Sequence, residues 1–115
     1  MKKLITIVET RQFASDCSGI LSEDEVDDLK VFLSANPEAG VVIPGSGGIR
    51  KLRWAATGRG KRGGSRVIYY FLDSEAPLFL IAVYAKSRKA DLDADELKAA
   101  RQFAEAIAKE HRKRS

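Results

Sequence analysis

Residues 45 to 72, GSGGIRKLRWAATGRGKRGGSRVIYYFL, constrain the fold more than any other stretch of the chain. Glycines border two runs of β-branched, aromatic and alternating residues, which predicts two strands joined by a glycine-rich loop. From Ile49 the pattern has period two. Arg50, Leu52, Trp54 and Ala56 share one face of a strand, and Ile49, Lys51, Arg53 and Ala55 share the other. Leu52 and Trp54 are predicted to face the core, so that Lys51 and Arg53 point together toward solvent. Residues 57 to 64 read as a hairpin loop. Ser65 to Leu72, apolar on both faces, reads as a central strand with Arg66 at its mouth.

The same stretch carries seven of the chain's twenty Lys and Arg residues (Arg50, Lys51, Arg53, Arg59, Lys61, Arg62 and Arg66) and no acid. The net charge of +4 conceals this asymmetry: residues 1 to 48 hold four bases and eight acids, residues 49 to 89 ten bases and two acids, and residues 90 to 115 six of each. Positive charge at that density repels itself unless an anion sits against it. A polyphosphate backbone is the natural anion, and contact with nucleic acid is favoured over a merely solvated basic face.

The remaining chain supplies a scaffold. Residues 3 to 8 read as a strand, and Thr10 precedes a short helix in which Phe13 and Cys17 share a face. Ser22 and Glu25 have capping-box spacing, with Leu21 and Val26 at the staple positions. Val26, Leu29, Phe32 and Leu33 form the inner stripe of that second helix, Glu23, Asp24, Asp27 and Asp28 its acidic outer face, and Asn36-Pro37 its end. Val41 to Ile43 is a possible short strand. Pro77 opens a further strand that is apolar on both faces, and Lys86, Arg88 and Lys89 stand at its exit. Asp93 and Glu96 cap a final helix with Leu97, Ala100, Ala104, Ile107 and Ala108 inside. The order β-α-α-β-β-β-α lacks βαβ alternation and predicts an α+β fold with a small, mostly antiparallel sheet, as a single domain over residues 1 to 115. The lone Cys17 excludes an intrachain disulfide, no thiolate cluster offers a metal site, and neither a signal peptide nor a membrane span is recognisable, so a reducing cytoplasmic setting is expected.

The segment PGSGGIRKLRWAATGRGKRGGSRVIYYFL, followed by LIAVYAKSRKADL and preceded by LSEDEVDDLKVFLSANPEAG, resembles the HigB/RelE-type toxins of type II toxin–antitoxin systems, within the RelE/ParE superfamily. The resemblance runs from about Leu21 to Leu97. It implies a ribosome-dependent mRNA endoribonuclease, an mRNA interferase that cuts the message in the ribosomal A site without metal or other cofactor. It also implies a cognate antitoxin, of helix-turn-helix, HigA-like type, that holds the enzyme inactive. Lys51 and Arg53 match the family's basic strand positions, Arg66 the arginine opening the next strand, and Lys86, with Arg88 and Lys89, the basic cluster after the last strand. The tyrosine that some members carry beyond that cluster is replaced here by Ala90-Asp91-Leu92-Asp93, with Tyr84 as the substitute candidate.

Cleavage through the RNA 2′-hydroxyl needs a proton acceptor, charge on the phosphate and a proton donor for the leaving oxygen. The basic region contains neither a histidine nor a carboxylate pair. Lys51 is therefore the candidate base, its proton loosened by like-charged neighbours, with Arg53 and Arg66 as the phosphate clamp and Lys86 as the acid. Arg50, Arg59, Lys61, Arg62, Arg88 and Lys89 are candidates for RNA backbone contact. Two other functions fit the same charge pattern: a ParE-type inhibitor of DNA gyrase, and a nucleic-acid-binding module that cuts nothing. GRGKRGG lacks the GK[ST] of a P-loop, His111 reads as a surface or partly packed residue, Cys17 as a small core hydrophobe, and Trp54 and Phe71 as core.

Overall fold

The two glycine-bordered segments form adjacent strands, and a five-stranded sheet is built outward from them. The computed structural model describes residues 4–54, 64–89 and 91–114. In chain order the elements are β1 (Ile7–Glu9), α1 (Arg11–Asp16), α2 (Glu23–Ala35), β2 (Val41–Val42), β3 (Ile49–Trp54), β4 (Ser65–Tyr70), β5 (Leu78–Ala85) and α3 (Ala94–Arg114). The sheet order is β1-β5-β4-β3-β2, antiparallel except where β1 runs parallel to β5. This is the expected α+β fold with a mostly antiparallel sheet. The short strand at Val41 is real but only two residues long. No helix among the described residues is long and apolar enough to cross a membrane.

Helices cover both faces of the sheet. Phe13 of α1 and Val26, Leu29 and Leu33 of α2 pack with Val67, Tyr69, Leu78, Leu80 and Val83, and Leu52 and Trp54 lie against this cluster as expected. On the opposite face Ala100 and Ala104 of α3 pack with Ile49, Ile68, Tyr70 and Tyr84. Consecutive residues Val67 to Tyr70 therefore alternate between two interiors, which is why β4 is apolar throughout. Between Ile68 and Tyr69 the pairing with β5 shifts by one, so Ile81 is an extra residue that joins Ala82 beside the second cluster.

Several boundaries move. The first strand is Ile7–Glu9, with residues 1–3 outside the described set; its pairing begins at Ile7 opposite Leu78, whose N–H donates to the Thr6 carbonyl (2.8 Å). Strand β4 stops at Tyr70, whose partner Ile49 directly follows the turn at Gly48. That glycine has φ +107°, a conformation other residues rarely adopt. Ser46, fully buried, closes the same turn by donating to the Ile43 carbonyl (2.5 Å) and accepting from the Ile49 N–H (3.0 Å).

The caps fall where the spacing put them. Ser22 and Glu25 bond reciprocally at the start of α2, and Asp93 and Glu96 do the same before α3. Phe32, expected inside, is instead 36% exposed and rests its ring 5.4 Å from that of Trp54 at the margin of the cluster. In α3, Ala100 and Ala104 are buried with Ile107 packed beside them, while Leu97 is not part of either cluster; Phe103 meets Phe79 edge-on at 5.4 Å.

Candidate active site

Antiparallel pairing sets Arg53 directly opposite Arg66, and Arg66 directly opposite Tyr84, so three strands contribute one transverse row. Lys51 lies on the same face in an adjacent row, opposite Ile68 and then Ala82. Residues so paired have Cβ atoms about 4.5–5.5 Å apart, and like charges placed this way destabilise a sheet. Two arginines paired across one rung thus concentrate positive charge at this position of the sheet.

The face bearing these cations is not simply turned to solvent, as the alternation had predicted. Its Ile49 end lies under α3, and only its Arg53 end is open: Ile49 is buried, Lys51 half-buried and Arg53 exposed. The cationic rows stand at the edge of the second core. The register places them on one face beside α3, with the open side at Arg53.

The approach to α3 brings acids to this edge. The Lys51 ammonium is ion-paired with the carboxylate of Asp91, which is itself 68% exposed. The reading from sequence gave Lys51 only like-charged neighbours. Asp91 is the residue it missed, and the available signal was an acid directly after the basic run at Lys86 to Lys89. The Tyr84 hydroxyl is held above its usual pKa, first by burial, then by the charge of Asp91; Arg66 acts in the opposite sense and Glu96 raises it further. Tyr84 therefore keeps its proton through neutral pH.

The other basic residues divide. Lys89 binds both carboxylate oxygens of Glu96 at 2.6 Å and lies 4.9 Å over the Tyr84 ring, tying the exit of β5 to the first turn of α3. Lys86 and Arg88 are exposed in the turn after β5. The Lys86 N–H donates to the Gly64 carbonyl (3.3 Å), just beyond the Ser65 and Ala85 pair, so this turn lies at the same end of the sheet as the arginine row. Arg50 belongs to the opposite face. Its Nη1 donates to the carbonyls of Gly40 (2.7 Å) and Glu38 (3.2 Å), and the side chain is only 18% exposed, so the structure does not bring it to the cluster. Arg59, Lys61 and Arg62 lie outside the described residues. Among the described residues no group of three or more His, Cys, Asp and Glu could hold a metal ion.

All three tyrosines are buried, Tyr69 in the first cluster and Tyr70 and Tyr84 in the second. Tyr84 also borders a groove of about 430 Å³ between α1, β5 and α3, walled by Ile81, Leu92 and Phe103. His111 is partly packed, its Nε2 3.2 Å from the Asp73 carboxylate. Cys17 packs against the first cluster, as expected of a small hydrophobe.

A family model described as the RelE toxin of the RelE/RelB toxin–antitoxin system matches residues 38–114, more than half of the chain. The chain belongs to the RelE family. The match runs from just before β2 to the end of α3, so it contains Lys51, Arg53, Arg66, Tyr84 and Asp91, while β1, α1 and α2 precede it. RelE membership makes the chain the toxin of a toxin–antitoxin pair and implies an antitoxin as partner. The mostly antiparallel open sheet with helices on both faces is consistent with a RelE-like fold.

Proposed function

We propose that this RelE toxin is a HigB-like mRNA interferase: a cytoplasmic, ribosome-dependent endoribonuclease that blocks translation and is neutralised by a helix-turn-helix antitoxin of the HigA type. Residues 1 to 115 act as one unit. The observation that carries the reading is the row of Arg53, Arg66 and Tyr84 across three strands, with Lys51 beside it on the same face. A lone phosphodiester fits such a site better than an extended duplex, because the cations converge on one end of a small sheet.

In the proposed reaction Arg53 and Arg66 hold the non-bridging oxygens of the scissile phosphate and stabilise the charge that builds on them. Lys51, once its ammonium has given up a proton to water, takes the proton of the 2′-hydroxyl as that oxygen attacks the phosphorus. The bond to the 5′ oxygen breaks, and Lys86 protonates the departing oxygen, leaving a 2′,3′-cyclic phosphate and a 5′-hydroxyl. No metal or other cofactor takes part. Arg88 and Lys89, with Arg59, Lys61 and Arg62 from the segment between β3 and β4, contact the flanking RNA backbone. Lysines make weak bases, so the rate depends on a surface that holds the message in line, and the ribosome supplies it.

The test is a pair of variants, Arg66→Ala and Lys51→Ala, expressed under tight control. Loss of one clamp guanidinium is expected to lower cleavage on translating ribosomes by about 10²–10³-fold and to abolish growth arrest, with the thermal melt preserved. Unchanged toxicity in both variants would reject the site. Broken DNA with intact messages after brief induction of the native chain would reject RNA cleavage altogether.

A further inference from the structure

The carboxylate of Asp91 occupies the place beside Lys51 where the proposed function needs RNA. The ion pair with the Lys51 ammonium puts it there, and its charge is also felt at the Tyr84 hydroxyl, whose strand position faces Arg66. Asp91 sits on the short segment between the β5 exit and α3, which is fastened on one side by Lys89 to Glu96 and on the other by the Asp93 and Glu96 box. Asp91 therefore lies between two residues, Lys89 and Asp93, that are both bonded to Glu96.

We propose that Asp91 is an intramolecular stand-in for an RNA phosphate, a positioning residue that holds Lys51 in place and that RNA displaces when it binds. The inference rests on the RNA-cleavage reading of this site. Its chemistry is an exchange of anions: the ammonium leaves a carboxylate and gains a phosphate, and the freed carboxylate returns to water, to which it is already largely open. The net gain from Lys51 is then smaller than that of a free cation. Two consequences follow. Affinity for RNA presented without a ribosome is held down, and the salt dependence stays that of the phosphates contacted, since Lys51 reaches its phosphate with or without Asp91.

The experiment measures binding of a short labelled single-stranded RNA to the full chain as a function of salt. The panel is the native chain, Asp91→Asn, Asp91→Glu, Lys51→Ala, the double variant Asp91→Asn with Lys51→Ala, and Arg53→Ala. Asp91→Asn is expected to tighten binding about two- to fivefold, the range set by an exposed ion pair. It is also expected to leave the dependence of log K on log salt near its native slope, since the number of phosphates contacted does not change. Asp91→Glu, which keeps the charge, is expected to stay near the native values. In the Lys51→Ala background the change from Asp to Asn is expected to leave the affinity nearly unaltered. Unchanged affinity in Asp91→Asn, or an equal tightening with and without Lys51, would overturn the proposal. If Arg53→Ala leaves RNA binding intact, the RNA-site reading itself fails; if Arg53→Ala weakens it and Asp91→Asn does nothing, only the role of Asp91 fails.

Discussion

Tyr69 shows how one side chain fixes the ground on which the basic rows stand. It is fully buried, its hydroxyl donates to the Pro37 carbonyl (2.9 Å) and accepts from the Gly40 N–H (2.7 Å), and Arg50 binds the Gly40 carbonyl beside it. A methyl on Gly40 would stand 2.8 Å from the Tyr69 ring and 3.0 Å from the Lys51 carbonyl, so only glycine permits this approach. The loop from α2 to β2 is thereby clamped to the sheet next to the backbone of Lys51. Tyr69→Phe leaves a buried N–H and a carbonyl short of partners and is expected to cost about 1–3 kcal/mol, read from urea unfolding with an unchanged m-value. Gly40→Ala should destabilise as well, and the pair should be non-additive because the two residues share one contact. Little of this was legible from sequence. Arg50 looked like one more member of a basic run, and only its position on the other face of β3 shows that its charge serves the scaffold.

Among the elements, α3 does most to shape the site. It reaches the sheet through the small side chains of Ala100 and Ala104, which let its backbone come close over Ile49, Ile68 and Tyr70. Ala104→Leu forces three added carbons into that contact and is expected to lower stability by about 1–3 kcal/mol, seen as a lower melting temperature. Helix starts were readable because a capping box is a local pattern of two residues, and both boxes form. The strands of the hairpin were readable for the same reason: glycine and alternation act over a few residues. What alternation could not say is what covers each face. Leu52 and Trp54 were assigned to the core and the other face to solvent, yet Ile49 on that other face is completely buried. An apolar residue among Lys51 and Arg53 was the sign that a helix covers both ends of the pattern unequally. The ion pair with Asp91, forty residues away, depends on where α3 begins in space and leaves no local trace.

At the scale of the whole molecule, both cores withhold titratable groups from water. Burial raises the Cys17 thiol to about 11, with Glu9 and Asp16 adding to the effect, and raises the hydroxyls of Tyr69, Tyr70 and Tyr84 above their ordinary value of 10.0. The folded chain therefore holds these protons more tightly than the unfolded chain does. Their contribution to stability is complete below the unfolded values and is lost as pH rises through the folded ones. For Cys17 the window runs from 9.0 to about 11. Denaturant titrations across that window should show stability falling with pH, and Cys17→Ala should make the fall shallower; parallel curves would contradict the assignment. The same environment makes the thiol a poor nucleophile, since little thiolate forms at neutral pH.

The parallel rung between β1 and β5 joins residues about seventy positions apart, Ile7 to Leu78 and Glu9 to Leu80. The antiparallel strands in between pair with near neighbours, so they close early and cheaply in entropy, whereas this edge waits for the longest loop to shut. During synthesis the first strand thus emerges long before its partner exists. The sheet is completed only after Leu78 to Leu80 have been made, and the paired strands that bear Arg53 and Arg66 can fold before β1 is docked.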